Sequence, residues 1–288
     1  MGCEGIQNGV PRLYEPLLRL GSFAAAFAVM ALWEAWAPRR SAQFSRRQRW
    51  PHNIALLVVD VAVVRVVAPG VAIAVALAGE DNGWGLLNSI ALPVWLTIAA
   101  AVLFLDLVIY FQHVTFHAVP ALWRLHRVHH ADLDFDVTTG TRFHPLEILI
   151  STGIKCAAVA AIGAPAFAVL LFEVLLNATA MFNHANLRIP PGADRLLRWL
   201  IVTPDMHRVH HSILYNESSS NFGFNTPWWD RLFGTYRAQP KEGHEAMTVG
   251  VDAFRTFEDF RIDRLLIQPL RDTPGAYPIN RRVEPGAT

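Results

Sequence analysis

Long apolar runs separated by short polar segments occupy most of the first 190 residues. Each run is close to or above the roughly 20 apolar residues that a helix needs to cross a bilayer. The runs cover residues 17–37, 53–78, 90–110 and 146–183. Pro69-Gly70 is expected to kink or split the second run, and Gly163-Ala164-Pro165 to divide the fourth into a helical hairpin. The pattern therefore predicts an all-α fold, an integral-membrane bundle of about four spanning helices.

Charged residues between the runs predict how this bundle is oriented. Five arginines follow the first run, and the loop after the second run contains Glu80 and Asp81 but neither lysine nor arginine. Because basic loops stay on the cytoplasmic side, residues 112–145 and those after 184 are expected in the cytoplasm. Residues 194–202 mix arginine with leucine and tryptophan, which predicts an amphipathic helix at the membrane interface.

Composition supports a protein that has lipid as part of its solvent. The chain is 52% hydrophobic and 17% charged, with a mean hydropathy of +0.26, whereas soluble proteins are nearer to about 25% charged. Asp60 and Arg65 interrupt the second run, so they are expected to face the bundle interior or to be paired. The net charge of +1 gives no indication of a nucleic-acid partner. We expect one domain over residues 1–288, with a polar tail at 241–288.

Ten of the twelve histidines lie between residues 113 and 211. Eight of them form one HxxxH motif, at the end of the third run, and two HxxHH motifs. They are His113, His117, His126, His129, His130, His207, His210 and His211. Residues three or four apart share a helix face, whereas adjacent residues diverge by about 100°. One HxxHH motif is therefore expected to supply ligands to two metal ions held side by side.

The number and type of ligands indicate which metals fit. His144 and His184 are the natural additional ligands, and no thiolate lies nearby. Imidazole suits zinc, copper, iron and nickel, and one tetrahedral zinc uses four ligands, so ten histidines favour two ions of higher coordination. Zinc binds such ligands more tightly than Fe(II) and is expected as a substitute in purified protein. His52 and His244 lie outside the cluster and are expected at the interface or surface.

These motifs resemble the fatty acid hydroxylase / sterol desaturase superfamily, over roughly residues 100–240. The resemblance rests on the three histidine motifs together with Arg142-Phe143-His144-Pro145, His184 and Trp229-Asp230-Arg231-Leu232-Phe233-Gly234-Thr235-Tyr236. It implies that 100–240 is the catalytic region, in which a cytosolic helical cap holds two iron ions and O2 is the co-substrate. It also implies hydroxylation or desaturation of a lipid taken from the bilayer. Because no cytochrome b5 domain precedes the first span, electrons are expected from a separate electron-transfer protein.

Other interpretations stay open. Residues 132–142 also resemble a loop of alkylglycerol monooxygenases, which cleave ether lipids with a pterin. From a different class, a membrane metal transporter would place its histidines at mid-span along a path, whereas here they lie at span ends. A catalytically silent membrane scaffold is a further alternative.

Carboxylates near the histidines are candidates for orienting the imidazole rings. Asp106 lies seven and eleven residues before His113 and His117, on the same helical face. A carboxylate is costly near the end of a membrane span, so Asp106 is expected either to orient these rings or to pair with Arg65 or Arg142. Weaker candidates are Asp205 and Asp230.

Overall fold

The computed structural model describes residues 15–271, and this part of the chain is helical, without a β-sheet. Helices α1 to α7 are Glu15–Trp36, Arg46–Val67, Val71–Asn82, Val94–Ala118, Pro120–His130, Pro145–Ile162 and Ala166–His184. The short helices α8 to α13 are Pro191–Leu197, Pro204–His210, Tyr215–Ser218, Trp228–Leu232, Gly243–Ala246 and Ile262–Ile267. The prediction of an all-α fold is confirmed.

Five helical segments are long and apolar enough to cross a membrane, against the four or so expected. They are Pro16–Trp36, Arg46–Ser89, Val94–Ala118, Pro145–Ile162 and Ala166–His184. These helices leave large apolar side chains facing outward, with Leu32, Val66 and Trp95 each at least 70% exposed. Apolar surface of this extent is typical of contact with lipid. The chain is therefore an integral membrane protein.

Helix α4 is central to the bundle and carries the first histidine motif at its C-terminal end. It packs against α5, α6 and α7, and contributes Ala101, Leu105 and Ile109 to the apolar core. Helix α1 packs against α7, and α2 packs against α6. Packing in the core thus fixes the position of the C-terminal end of α4 relative to the helices that carry the other histidines.

Both predicted breaks in the apolar runs are confirmed. Pro69-Gly70 separates α2 from α3, and Gly163 separates α6 from α7. Gly163 has a φ of 70°, and a Cβ added to it would lie 2.6 Å from the carbonyl oxygen of Trp84. Because glycine alone is at ease in this conformation and space, the turn between α6 and α7 depends on it.

The cap consists of α5 and the short helices after residue 184. The predicted helix at 194–202 was wrong in its bounds, because α8 is Pro191–Leu197. A proline at the first helical position favours this start, and the helix ends where two amides bond to carbonyls only three residues back. Leu196, Trp199 and Leu200 remain 58–71% exposed, so the expected apolar surface is present on the shorter helix and the turn that follows it.

Residues 241–271, part of the predicted polar tail, fold back over the second histidine motif. Helix α13 packs against α2, and Arg127 donates hydrogen bonds to the carbonyl oxygens of Gln268 (2.6 Å) and Arg271 (2.7 Å). This segment therefore packs against the helix that carries the motif. The remainder of the predicted tail, 272–288, lies outside the described residues.

Candidate metal centre

Nine of the ten histidines predicted as ligands come together in two buried groups. The first group is His113, His117, His126, His130 and His210, and the second is His129, His184, His207 and His211. Within each group, one potential ligand atom per residue lies within 4.8 Å of all the others. Ligands about 2.1 Å from an ion can be at most roughly 4.2 Å apart. With small ring adjustments, each group fits one metal ion.

The two HxxHH motifs divide their histidines between the groups. His129 and His130 fall in different groups, and so do His210 and His211. Helices α5 and α9 end at these residues, and successive side chains on a helix point about 100° apart. The residues four apart, such as His126 and His130, stay in the same group. Each motif thus serves both groups, as the spacing predicts.

The outer ring nitrogens of four histidines are held by oxygen atoms. Three Nδ1 atoms donate to backbone carbonyls: His113 to Phe222 (2.8 Å), His210 to Ser220 (2.7 Å) and His184 to Ala180 (2.7 Å). The fourth, His126 Nδ1, donates to Glu147 Oε1 at 2.6 Å. A proton fixed on Nδ1 leaves Nε2 as a lone pair in the neutral ring, which is the form that binds a metal.

Close contacts between these lone pairs show that the site fits a cation. The Nε2 atoms of His113 and His210 are 3.0 Å apart. Both Nδ1 atoms face carbonyl oxygens, which only accept hydrogen bonds, so no proton remains to join the two Nε2 atoms. A positive ion shared by both nitrogens removes this repulsion. In the second group, the Nε2 atom of His184 lies 3.1 Å from the Nε2 atoms of both His129 and His207.

Burial also keeps the histidine rings of the two HxxHH motifs in the neutral form that binds a metal. Burial lowers the pKa of His126 to about 3 and holds the pKa of five further cap histidines well below 6.5. These five are His129, His130, His207, His210 and His211. Within the described chain, buried nitrogens such as His126 Nε2 and His211 Nε2 have no hydrogen-bond partner. Unpaired buried nitrogens are costly, and a metal ion would satisfy them.

Asp230 organises the loop that holds two of the rings. Its carboxylate accepts hydrogen bonds from the amides of Phe222 (2.7 Å) and Gly223 (2.9 Å) and from Thr235 Oγ1 (2.7 Å). The carbonyl of Phe222 in turn orients His113. Burial raises the pKa of Asp230 to about 6, with these hydrogen bonds acting in the opposite direction. Asp230 therefore acts on the metal centre through the backbone.

Asp106 orients no imidazole directly, which corrects the expectation for this residue. Its oxygens accept hydrogen bonds from the Asn225 amide (3.3 Å) and side chain (2.9 Å), from Thr226 Oγ1 (2.8 Å) and from Trp229 Nε1 (2.8 Å). Among the described residues, none of its partners is an arginine or a histidine. Asp106 instead links the 225–229 segment to α4, because four hydrogen-bond donors of this segment reach its carboxylate.

Two further expectations are corrected by the contacts of His144 and His244. His144 lies outside both groups: its Nδ1 accepts from the Leu146 amide at the start of α6, and its Nε2 donates to the Leu266 carbonyl. His244 is buried rather than on the surface, and its Nε2 lies 3.6 Å from Asp205. Asp205 itself pairs with Arg39 and Arg208 instead of with His207.

A buried charge network ties the loop after the second motif to α2. Arg49 donates to both oxygens of Asp132 (3.0 and 2.6 Å) and to Asp136 (2.6 Å). Arg142 Nε donates to the carbonyl of Val128 at 2.8 Å. Burial alone would raise the pKa of Asp132, but Arg49 and Arg142 lower it below its usual value. The network holds α5 and its histidines against the bundle.

A cavity of about 390 Å³ lies beside the first histidine group. Helices α1, α2, α4, α6 and α7 contribute to its walls, and its lining includes His113 and His126 of the first histidine group. Most of its lining is apolar, including Phe23, Ile109 and Leu176. Such a cavity within a helical bundle is typical of a small-molecule site, and its position joins the membrane-spanning region to the metal centre.

Glu147 and Asn221 are functional residues that the sequence interpretation missed. Glu147 follows Phe143-His144-Pro145-Leu146, so its place three residues after a conspicuous histidine was a signal that a ring partner lay nearby. Asn221 has a φ of 53° and donates to the carbonyls of Met206 and Arg237. In the sequence, only the proximity of Asn221 to the third motif would have indicated that it shapes this loop.

Comparisons with known proteins agree with this geometry. The sequence profile of the fatty acid hydroxylase family matches residues 98–235. The ornithine lipid hydroxylase OlsE of Rhizobium tropici is 29% identical over 46% of this chain and 39% of its own length. The alkylglycerol monooxygenase of Xenopus tropicalis is 28% identical over 57% and 35% of the two chains, and methylsterol monooxygenase 2-2 of Arabidopsis thaliana is 28% identical over 52% and 58%.

The chain thus matches less than two thirds of the length of each of these relatives. No solved structure matches it. The profile match covers α4 to α11, which carry all nine clustered histidines and the Asp230 loop. The resemblance of residues 98–235 to the fatty acid hydroxylase / sterol desaturase superfamily, inferred from the motifs, is confirmed.

Proposed function

We propose that the chain is a membrane-bound oxygenase that uses O2 and two histidine-held iron ions to hydroxylate or desaturate a lipid. The observation that carries this proposal is the cavity, which is lined both by the membrane-spanning helices and by His113 and His126 of the first histidine group. A lipid chain entering from the bilayer would meet the metal centre without crossing water. The relatives named as lipid hydroxylase and methylsterol monooxygenase support the same class of substrate.

The residues of the two histidine groups would hold the ions, and their neutral rings suit this role. When bound, a pair of iron ions supplies the redox chemistry that activates O2 toward an unactivated C–H bond. The chain's own part is to position the lipid in the cavity and to keep the rings aimed through Phe222, Ser220, Ala180 and Glu147. Electrons would come from a separate protein that docks on the cap, which we place on the cytoplasmic side.

Metal content is the first test of this function. Protein purified in detergent and loaded anaerobically with Fe(II) is expected to bind about two equivalents, one for each group. His210→Ala removes a ligand from the first group and is expected to lower the stoichiometry and abolish turnover. His52→Ala, outside both groups, is the matched control. Less than one equivalent of any transition metal in the loaded wild-type protein would contradict the proposal.

Comparative lipid analysis identifies the reaction. Cells that express the wild-type chain are compared with cells that express His210→Ala at equal membrane levels. A product that gains one oxygen indicates hydroxylation, and one that loses two hydrogens indicates desaturation. Loss of an alkyl chain from an ether lipid would assign the activity named for the Xenopus relative instead. Identical lipid profiles, together with metal uptake into vesicles, would favour the transporter.

A further inference from the structure

Asp60 is a buried acid in the wall of the cavity. It lies on α2, within a membrane-spanning segment, and is 5% exposed. Among residues 15–271, no group donates a hydrogen bond to either of its oxygens, and no cation lies within 4.0 Å of it; Oδ1 is fully enclosed. An acid at this depth is costly unless it has a partner. Within the described chain, no contact offsets the cost of a negative charge on Asp60.

None of the other charged side chains described in the cavity lining forms an ion pair with Asp60. Arg19 is paired with Glu173 at 2.5 Å. Arg65 lines the cavity but is exposed, which places it at the mouth. Glu147, a second acid in the cavity lining, interacts electrostatically with Asp60. Its Oε1 accepts a hydrogen bond from His126, and its buried Oε2 has no partner in the described chain.

Two acids with unused oxygens thus share one wall of an otherwise apolar cavity. Some uncharged polar side chains of the cavity already bond to each other: Gln112 Nε2 donates a hydrogen bond to Ser151 Oγ at 3.0 Å. Within the described chain, neither Asp60 Oδ1 nor Glu147 Oε2 receives a hydrogen bond. A ligand that brought a hydrogen-bond donor or a positive charge would satisfy the carboxylates, and its alkyl part would occupy the apolar remainder.

We propose that Asp60, supported by Glu147, is the specificity-determining residue of the cavity and selects a lipid that carries an amine or a hydroxyl group close to the reacting carbon. This inference rests on the proposed function, because only an oxygenase has a reacting carbon in its substrate. The binding preference itself does not depend on turnover. Asp60 is not a metal ligand, and it touches none of the nine clustered histidines through a hydrogen bond.

Three probes of equal chain length test the preference: 1-hexadecylamine, 1-hexadecanol and methyl hexadecyl ether. Bound probe is counted by native mass spectrometry on the full chain loaded with zinc, which fills the histidine groups without supporting redox turnover. The amine and the alcohol each offer a donor, whereas the ether offers none. We expect the wild-type chain to bind the amine about tenfold more tightly than the ether, because a hydrogen bond to a charged group is worth roughly that factor, with the alcohol between them.

Two substitutions separate the contributions of charge and hydrogen bonding. Asp60→Asn keeps an acceptor but loses the charge, so the amine should bind no more tightly than the alcohol. Asp60→Leu should lose most of the preference for the amine over the ether, keeping only the part that Glu147 supplies. Asp81→Asn is the matched control, because Asp81 is an exposed acid near the end of α3, outside the cavity, and it should keep the wild-type ranking.

The ranking in the wild-type chain decides the inference even if a variant fails to fold. Equal binding of the three probes to the wild-type protein would overturn it, as would a preference of the same size in Asp60→Leu and Asp81→Asn. A failure of the proposed function appears elsewhere, as missing iron or missing turnover. The probe ranking would then still show whether Asp60 selects a donor-bearing lipid.

Discussion

At the scale of single residues, the metal centre depends on atoms that are not ligands. Asp230 holds the amides of Phe222 and Gly223, and the Phe222 carbonyl holds the His113 ring. A ring whose outer nitrogen is fixed loses less entropy when it binds a metal and keeps the correct tautomer. The WDxxFGTY segment therefore has a physical role in the metal site although it supplies no ligand.

Asp230→Ala tests this indirect role. Removing the carboxylate frees two amides and the Phe222 carbonyl, so the first group should lose metal affinity by about 10- to 100-fold. Iron or zinc titration of the purified chain measures the change. Asp263→Ala removes an exposed acid and should bind metal as the wild type does. Unchanged affinity in a folded Asp230→Ala protein would mean that the loop keeps its shape without this residue.

Gly140 is a second residue whose role is spatial. A Cβ at this position would lie 2.6 Å from the Ala180 carbonyl oxygen and 3.3 Å from His184 Cβ. Gly140→Ala should therefore push the 139–141 turn away from α7 and destabilise the protein by about 1–3 kcal/mol, as overpacking does. A lowered thermal midpoint in detergent would show this. Gly153→Ala, where a Cβ meets nothing within 4 Å, should leave the midpoint nearly unchanged; equal midpoints for both variants would contradict the steric argument.

The sequence predicted nine members of the histidine cluster because helical spacing determines which side chains share a face. His144 was wrongly included, since spacing does not reveal that its ring caps α6 and bonds to Leu266. The partners of the rings are mostly backbone carbonyls such as that of Ser220. A carbonyl carries no sequence signature, so these contacts appear only once the loops are placed.

At the scale of helices, α2 is tied to the cap by one buried arginine. Arg49→Ala would remove the closest cation from the buried carboxylates of Asp132 and Asp136. Only Arg142 would remain, 3.8 Å from Asp132, and the loss is expected to cost about 3–5 kcal/mol. A large fall in the thermal midpoint would show it, with Arg47→Ala, an exposed neighbour, as the control. Matching midpoints for the two variants would mean that the network contributes little to stability.

The helices of the bundle were well predicted, because lipid demands long apolar runs and glycine and proline mark their ends. The cap was predicted less well. Its helices have four to eleven residues, and such short helices are determined by tertiary contacts rather than by their own sequence. The shortened α8 and the return of residues 241–271 over Arg127 are both of this kind.

At the scale of the whole molecule, burial of the histidines makes stability depend on pH. The six histidines of the two HxxHH motifs have pKa values well below 6.5 in the folded chain, whereas unfolded histidines titrate near about 6.5. Below that pH the unfolded chain takes up protons that the folded chain refuses, so acid lowers the stability.

Metal-depleted protein should therefore have a nearly constant thermal midpoint above about pH 7 and a steeply falling one from about pH 6.5 downward. A series of unfolding curves in one detergent between pH 8 and 5 measures this. His52→Ala, which removes a histidine outside the cluster, should follow the same curve. A midpoint that stays constant down to pH 5 would contradict the burial of neutral imidazoles.

The order of the ligands along the chain has a consequence for how the protein is made. Each histidine group takes members from both sides of the α6–α7 hairpin, so neither is complete until that hairpin has inserted and the third motif has been synthesised. Under the proposed function, metal would be acquired after membrane insertion rather than during it. In a cell short of metal, the inserted bundle would lack the ions that hold its cap together. The cap would then be accessible to the proteases that degrade membrane proteins.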